Sequence, residues 1–355
     1  MNDAIRITRT ATKKEKPKDK DLAFGNVFTD HMFVMDFQEE KGWYDPRVEP
    51  YGPFAMDPAT AVLHYGQGLF EGLKAFRGRD GKIRLFRPQK HVERLNRTAE
   101  RMCIPTLDPE MVLKSWTTLV DVDRDWTPSS VGTSLYLRPT IVASEPFLGV
   151  RPAKEYLYFV IISPVGPYYA EGMNPVKIKV IDKYVRAVVG GLGEAKTSAN
   201  YAASLYAAEE AKHEGFTQVL WLDGVHRKYI EEVGTMNIML KIGDEIITPP
   251  LQGTILAGVT RDSALTLMRE WGLRVSERPV TIDEVREAAS KGALKEVWGT
   301  GTAAVISPVG ELAFQRERIV VNGGRIGELT QRLYDTIVAI QYGAAPDTRG
   351  WTVTV

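Results

Sequence analysis

Hydrophobic residues recur along this chain with two different spacings, and each spacing predicts a different kind of element. Apolar runs typical of strands occupy residues 31–37, 135–143, 156–165, 176–182 and 218–223. Apolar residues three and four positions apart predict helices at 88–104, 109–120 and 199–213, near Thr260, from Thr281, and over Ile326 to Ile340. Because strands and helices follow one another in no regular βαβ order, the pattern predicts an α+β fold.

A stretch rich in glycine and proline separates these elements into two groups. It covers residues 166–175, and we expect it to be an interdomain linker. The linker leaves a small domain at 31–165 and a large domain at 176–355. Residues 1–30 are polar and contain no apolar signal core, so they are predicted to form a partly disordered N-terminal tail.

Composition narrows the classes of protein that fit. The chain has 355 residues, with 45 Lys and Arg against 45 Asp and Glu, and this balance argues against a nucleic-acid or membrane-surface partner. No apolar run approaches the ~20 residues that span a bilayer. The one cysteine, Cys103, lies in the predicted helix 88–104 and allows no intrachain disulfide or Cys/His zinc site. We therefore expect a cytoplasmic protein that contains no metal.

Lys196 is the first candidate for chemistry. It follows three glycines in residues 190–201, which read GGLGEAKTSANY, and Ser198 begins the predicted helix. Burial and the positive end of the helix would favour the neutral amine, the form that attacks carbonyl groups. Taken alone, the segment fits an exposed loop lysine better. It does not fit a dinucleotide-binding dehydrogenase, because Lys196 replaces the third glycine of that fingerprint.

Four further segments carry groups suited to an anionic, aromatic cofactor. Glu232 lies in an apolar strand, where a carboxylate needs a charged partner such as a protonated pyridine nitrogen. The predicted helix start at Thr260 and the small-residue turn at 298–304 offer backbone N–H groups to a phosphate. Arg94 lies about 100° away from the apolar stripe of its helix. Each has an ordinary alternative: a solvated strand end, a capped helix, a tight turn and a solvated arginine.

Taken together, these segments resemble the branched-chain aminotransferase family of fold-type IV pyridoxal-phosphate enzymes. Seven motifs occur in the family order between residues 64 and 304: HYGQGLFEGLKAFRG, LFRPQKHVERL, LYLRPTIVASEPFLGV, GGLGEAKTSANY, EEVGTMN, LAGVTRDS and WGTGTAA. The resemblance implies two domains, a small N-terminal α/β domain and a larger C-terminal domain with a β-barrel-like core.

The resemblance also implies a role for each matching residue. Lys196 would form the Schiff base and act as the catalytic proton carrier, Glu232 would face the pyridine nitrogen, and Tyr201 would face the ring hydroxyl. The phosphate would be bound by Arg94, Val259, Thr260, Gly301 and Thr302. The substrate would be bound by Tyr65, Phe70, Tyr136, Arg138, Tyr168, Thr302 and Ala303, with Leu148 and Val150 reaching the pocket of a partner subunit.

The implied activity is reversible transfer of an amino group from L-leucine, L-isoleucine or L-valine to 2-oxoglutarate, with pyridoxal 5′-phosphate as cofactor, in a homodimer. Mammalian members carry a CxxC pair after the GTA turn. Ala304 and Ser307 stand at those positions here, which excludes that thiol regulation and favours a bacterial biosynthetic setting.

Three alternatives stay open at this point. D-amino-acid aminotransferase and aminodeoxychorismate lyase share the fold and resemble the Lys196 and Glu232 motifs. The long N-terminal region and the segments LYLRP and EPFLGV favour the branched-chain family over both. A non-catalytic pyridoxal-phosphate carrier would bind the cofactor without exchanging amino groups.

Overall fold

The computed structural model describes residues 4–167 and 173–355, which form two compact units. The first unit contains the described residues up to 167, together with 195–198 and 339–355. The second contains residues 173–194 and 199–338. The predicted large domain, 176–355, is therefore wrong at two places, since residues 195–198 and 339–355 make most of their contacts within the first unit.

The first unit is built on one mixed sheet with helices on one face. Its strands in the N-terminal half are β1 (Arg6–Ile7), β2 (His31–Gln38), β3 (Gly42–Pro50), β4 (Gly68–Phe70), β5 (Leu73–Arg77), β6 (Ile83–Phe86), β7 (Ser134–Ala143) and β8 (Glu155–Val165). They lie in the order β1-β3-β2-β8-β7-β5-β6, with β4 paired to β7. The helices are α1 (Ala61–Tyr65), α2 (Pro88–Arg101) and α3 (Pro109–Val122).

Side chains along β7 alternate between the buried core and the opposite face of the sheet. Leu135, Leu137 and Ile141 belong to the buried core that also contains residues of α2 and α3. Tyr136 and Arg138 point to the opposite face, because successive side chains of a strand alternate. The strand thus fixes two candidate substrate residues on a rigid element.

The end of α2 corrects the predicted helix 88–104. The helix ends at Arg101, and Cys103 has a left-handed backbone with φ of 54°. The N–H of Ile104 donates to the carbonyl of Ala99 at 2.9 Å, and the N–H of Cys103 donates to Glu100 at 3.2 Å. This is the Schellman arrangement, with a cysteine at the position that usually carries glycine. Cys103 is therefore exposed and outside the helix.

Cys103→Gly should stabilise the protein by about 0.5–1 kcal/mol. The left-handed conformation costs a side-chain-bearing residue roughly 1–2 kcal/mol, part of which is offset by the extra backbone entropy of glycine in the unfolded chain. Urea unfolding monitored by tryptophan fluorescence measures the difference. Cys103→Ala is the control, because alanine keeps the strain; equal stabilisation by both variants would contradict the explanation.

Residues 4–30 belong to the first unit and contact the rest of it along much of their length, whereas the sequence predicts a partly disordered tail at 1–30. β1 pairs in parallel with β3. The N–H of Thr10 donates to His31 Nε2 at 2.9 Å, and the N–H of Lys14 donates to Asp30 at 2.8 Å. Leu22 is buried. The polar composition of residues 1–30 did not predict these hydrogen bonds, because most of their donors are backbone N–H groups.

The second unit contains a closed barrel. Its strands are β9 (Val176–Ile181), β10 (Gln218–Leu222), β11 (Ile230–Val233), β12 (Met236–Ile242), β13 (Glu245–Thr248), β14 (Arg274–Glu277), β15 (Leu294–Gly301), β16 (Val305–Phe314) and β17 (Glu317–Val320). Six of them close a ring in the order β11-β10-β9-β16-β15-β12, because β12 also pairs with β11. The α+β class and the barrel-like core predicted from sequence are confirmed.

Four helices accompany the barrel: α4 (Ser198–His213), α5 (Val259–Glu270), α6 (Ile282–Ser290) and α7 (Glu328–Gln341). The helix start expected at Thr260 is shifted, because Gly258 is the N-cap and no side chain caps the helix. Thr281 caps α6 as predicted, and its side chain accepts the N–H of Glu284. Within residues 4–167 and 173–355, no helix combines the length and hydropathy needed to cross a membrane.

The chain ends with β18 (Thr352–Thr354), which pairs antiparallel with β6 at the edge of the first sheet. Trp351 is buried, its ring centroid 5.8 Å from that of Phe86. This pairing is the physical reason why the C-terminal residues belong with the first unit rather than with the predicted large domain.

Candidate active site

Lys196 is held through its own backbone in the first unit. Its N–H donates to Thr98 Oγ1 at 3.1 Å, and its carbonyl accepts the N–H of Phe70 at 3.0 Å. The next residue, Thr197, donates its hydroxyl to the carbonyl of Gly68 at 2.7 Å. The side chain is half-buried, with Nζ 5.0 Å from the centre of the Phe70 ring. A fixed backbone and an amine over an aromatic ring fit a reactive lysine better than an exposed loop lysine.

Arg138 lies beside two aromatic side chains that were predicted to line the substrate pocket. Its guanidinium carbon is 4.5 Å from the centre of the Phe70 ring, and its NH2 donates to the Tyr136 hydroxyl at 3.0 Å. Gly72 makes room for this hydroxyl, because a Cβ at that position would overlap it. Arg138 Nε is buried without a hydrogen-bond partner. A carboxylate ligand would satisfy this guanidinium.

Arg94 is buried rather than solvated and forms an ion pair with Glu71. Its Nε and NH2 donate to the two oxygens of the Glu71 carboxylate at 2.7 and 2.9 Å. His91 Nδ1 lies 2.8 Å from the same carboxylate. Burial would raise the pKa of Glu71, but Arg94 and His91 hold it well below its usual range, whereas burial lowers the pKa of His91. The arginine is therefore a preoriented cation rather than a mobile one.

Tyr65, Leu148 and Val150 form an exposed group. The Tyr65 hydroxyl donates to the carbonyl of Leu148 at 2.8 Å. Leu148 is 62% exposed and Val150 is 88% exposed. Large apolar side chains at this exposure are typical of surfaces that contact another molecule. Tyr168, the remaining predicted pocket residue, lies outside the described residues.

In the second unit, Glu232 is buried and surrounded by donors. Its Oε1 accepts the Asn237 side-chain amide and the N–H of Leu256, both at 3.1 Å. Its Oε2 lies 3.0 Å from Arg186 Nε. The charged carboxylate is thus stabilised inside the barrel end, which excludes the solvated strand end considered from sequence.

Asn237 brings the other candidate groups of the second unit to the same end of the barrel. It pairs with Glu232 on β11 and with Thr300 on β15. It also packs against Gly258 at the start of α5, where a Cβ would overlap the Asn237 amide oxygen. The uncapped first turn of α5, with Val259 and Thr260, therefore lies near Glu232 with its backbone N–H groups available to an anion.

The turn after β15 completes this group. Gly301 closes the pairing with Val305 on β16, and Thr302 and Ala303 form the turn itself. A Cβ at Gly301 would lie 2.9 Å from Met236 Cγ, so the backbone approaches its neighbour closely. Tyr201 lies in the first turns of α4 and is half-buried.

Sequence reasoning missed five residues that the structure places at these groups. Glu71 and His91 fix Arg94, while Asn237 and Arg186 surround Glu232; the fifth, Phe24, packs edge-on against Tyr136 with ring centroids 5.0 Å apart. Glu71 and Asn237 lie inside the family motifs and are detectable as polar residues between non-polar neighbours. Phe24 lies in the predicted N-terminal tail, where no sequence pattern indicates a contact with the site. In the described part of the chain, no group of three or more His, Cys, Asp or Glu could hold a metal ion.

Glu231, beside Glu232, carries a testable pH dependence. It is buried and its Oε2 has no hydrogen-bond partner. Burial raises the pKa of Glu231, with the neighbouring Glu232 adding to the shift. A raised pKa in the folded state means that the stabilising contribution is present below the unfolded pKa, near 4.5, and is lost as the pH rises through the folded value.

Glu231→Gln should therefore flatten the loss of stability above pH 4.5 and make the variant more stable than the parent at alkaline pH. Urea unfolding of the apoprotein at several pH values measures this. Glu287→Gln is the control, because Lys291 lowers the pKa of the exposed Glu287 and its removal should give the opposite trend. An unchanged pH profile for Glu231→Gln would show that the carboxyl is ionised throughout.

Comparisons with known proteins identify the family of this chain. Residues 68–312 match the family described as amino-transferase class IV. Branched-chain-amino-acid aminotransferase 2 of Bacillus subtilis is 57% identical over 351 residues, covering 99% of this chain and 97% of the relative. Branched-chain-amino-acid transaminase 1 of the same organism is 51% identical and covers 100% of both chains.

Solved structures show the same fold. The crystal structure of the Escherichia coli branched-chain amino acid aminotransferase overlaps with a TM-score of 0.76 at 24% identity, covering 91% of this chain and 98% of that one. The Thermobaculum terrenum enzyme in its PLP-form overlaps with a TM-score of 0.74 at 20% identity, covering 92% and 98%. The predicted fold-type IV architecture is confirmed, and the chain belongs to the amino-transferase class IV family.

Proposed function

We propose that the protein is a branched-chain aminotransferase that transfers the amino group of L-leucine, L-isoleucine or L-valine to 2-oxoglutarate. The observation that carries this proposal is the identity of 57% and 51%, over nearly the full length, to two Bacillus subtilis proteins named for this activity. Arg138 supports it from the structure, because one cation beside Phe70 and Tyr136 suits a pocket that takes both an aliphatic and an acidic side chain.

The cofactor of this family is pyridoxal 5′-phosphate, and the residues present fit it. The buried Arg94 and the uncapped start of α5 at Val259 and Thr260 suit the phosphate, as do the backbone at Gly301 and the Thr302 hydroxyl. When bound, the cofactor supplies an aldehyde for amine exchange and a pyridine ring that absorbs negative charge. Glu232 suits the ring nitrogen and Tyr201 the ring hydroxyl.

Lys196 has two tasks in the proposed mechanism. Its amine would hold the cofactor through the aldehyde and give up this place to the substrate amine. With a substrate bound, Nζ would take the proton from the substrate α-carbon and deliver it to the carbon atom that comes from the cofactor's aldehyde. The backbone bonds of Lys196 to Thr98 and Phe70 keep the amine in position for both transfers. The same amine serves the 2-oxoglutarate half-reaction in the reverse sense.

The remaining residues orient the substrate. We assign Tyr65 and the backbone amides of Thr302 and Ala303 to the α-carboxylate. Phe70, Tyr136 and Tyr168 are assigned to the walls of the side-chain pocket. Arg138 is assigned to the distal carboxylate of glutamate, since its guanidinium has the donors for bidentate binding. The setting we propose is the cytoplasm, in keeping with a chain that has one cysteine.

We further propose that the active form is a homodimer in which Leu148 and Val150 contact the partner subunit. Val150→Asp should weaken the dimer, because the aspartate would bring a charge into an apolar contact. Sedimentation velocity over a concentration series measures this, with Val131→Asp as a control at another exposed valine, 79% exposed. A parent protein that sediments as a monomer, or a Val150 variant that dimerises like the parent, would contradict the assignment.

The visible absorption spectrum tests the proposed activity directly. Purified protein should show the band of the bound cofactor, L-leucine should convert it to the amine form, and 2-oxoglutarate should restore it. D-leucine should leave the band unchanged, which separates the protein from D-amino-acid aminotransferases. A spectrum that responds to no amino acid would identify a cofactor carrier instead.

A further inference from the structure

Arg186 is a charged residue in contact with Glu232, and it lies in the loop between β9 and α4. Its Nε lies 3.0 Å from Glu232 Oε2, without the alignment of a hydrogen bond, and the two side chains are 7% and 5% exposed. Its NH2 donates to the carbonyl of Thr254 and, at 3.4 Å, to that of Gly193. The guanidinium is thus anchored by carbonyls on one side and faces the carboxylate on the other.

A carboxylate that faces a pyridine nitrogen shares one proton with it. The proton lies either on the nitrogen, giving a charged pair, or on the carboxyl oxygen, giving a neutral pair. Burial favours the neutral pair, because separated charges are poorly solvated in a protein interior. Only the charged pair makes the ring a strong acceptor of negative charge, so a third group must offset the effect of burial.

We propose that Arg186 is a positioning residue that keeps this proton on the pyridine nitrogen. A guanidinium 3.0 Å from Oε2 stabilises the ionised carboxylate and so lowers its affinity for the proton. Arginine does not give up its own proton in proteins, so the effect persists across the working pH range. The inference rests on the proposed function, because the cofactor supplies the pyridine nitrogen.

The other charged groups around the pair support this assignment. Glu231 lies on the same strand, and Arg186 also acts on it electrostatically. Burial raises the pKa of Glu231, which favours its neutral form and leaves the charge of Arg186 to Glu232. Asp223 also faces this region, and four backbone N–H groups hold its pKa at about 2. The donors to Oε1, Asn237 and Leu256, are uncharged, and Arg186 brings a positive charge to Oε2.

The decisive measurement is the nitrogen-15 chemical shift of cofactor labelled at the pyridine nitrogen, bound to the parent and to variants. The parent should show a protonated nitrogen. Arg186→Met should move the signal to the unprotonated value, and Arg186→Lys should retain most of the protonated signal. Arg278→Met is the matched control, since Arg278 pairs with Glu245 and Glu284 elsewhere in the same unit. A protonated nitrogen in Arg186→Met would overturn the proposal.

Infrared spectroscopy of the apoprotein provides a second readout that does not need the cofactor. Arg186→Met should gain a band of a protonated carboxylic acid at neutral pH, and the additional change Glu232→Gln should remove it. An Arg186→Met apoprotein that gains no such band would also overturn the proposal. If the proposed aminotransferase function is wrong, the absorption spectrum of the parent protein will not change with leucine, so the two failures can be told apart.

The leucine half-reaction gives the kinetic consequence. Removal of the α-proton should slow at least about tenfold in Arg186→Met, the equivalent of one pKa unit of proton affinity. Arg186→Lys should recover most of this rate. A merely structural role in the loop would lower the stability of both variants and leave the nitrogen-15 shift unchanged, an outcome that contradicts the proposal.

Discussion

Lys196→Ala should reduce transamination to below about one ten-thousandth of the parent rate. Positioned acid–base groups contribute roughly 10²–10⁴-fold, and loss of the covalent attachment point adds to this. Folding should be preserved, because the hydrogen bonds to Thr98 and Phe70 use the backbone of residue 196 and not its side chain. Thermal unfolding of the apoprotein and single-turnover kinetics with leucine measure the two effects.

Borohydride reduction followed by peptide mapping identifies the attachment point directly. The cofactor should be fixed on the peptide that contains Lys196. Lys74 is the rival, because it is buried on β5 and burial lowers its pKa to about 8, so its amine is chemically competent as well. Label on the Lys74 peptide would contradict the assignment, and Lys183→Ala, at an exposed lysine, provides the kinetic control.

Arg138→Gln should separate the two half-reactions. The specificity constant for glutamate and 2-oxoglutarate should fall by one to three decades, from the roughly 2–5 kcal/mol lost when one partner of a buried charge pair is removed. The leucine half-reaction should change only several-fold, because with an aliphatic ligand Arg138 keeps its bond to Tyr136 and its position over Phe70. Stopped-flow measurement of each half-reaction gives the ratio.

Two controls separate recognition of the carboxylate from support of the strand. Tyr136→Phe removes the hydroxyl that Arg138 contacts while keeping the ring. Arg77→Gln removes another arginine of the same sheet, whose guanidinium donates to the carbonyls of Thr127 and Arg124. An equal loss in both half-reactions of Arg138→Gln, or a loss confined to leucine, would show that Arg138 does not read the glutamate carboxylate.

Much of the fold was predictable because apolar periodicity is a local signal. The strand expected at 135–143 is β7, Ser134–Ala143, and the helix expected at 199–213 is α4, Ser198–His213. The closed barrel was expected only through resemblance, since closure depends on the pairing of β11 with β12, which no local pattern encodes. The placement of residues 195–198 in the first unit could not be predicted from local sequence either, because it depends on contacts with residues more than 90 positions away.

Candidate site residues could be predicted where a charged side chain interrupts an otherwise apolar element. Glu232 was conspicuous as a carboxylate in an apolar strand, and its predicted need for a charged partner is met by Arg186. Arg94 was predicted to lie away from the apolar stripe of its helix, and its ion pair with Glu71 was not predicted, because the two residues lie 23 positions apart. The spacing of apolar residues in one sequence does not show which residues distant along the chain form ion pairs.

The pairing of β18 with β6 has a consequence for synthesis on the ribosome. The first sheet consists of strands from the first 165 residues plus one strand at Thr352–Thr354, so it stays incomplete until that strand has been synthesised. Until then β6 presents unpaired backbone groups, an open edge on which nascent chains can pair with one another. The strand Thr352–Thr354 thus covers this edge, and a chain that lacks it would be prone to aggregate.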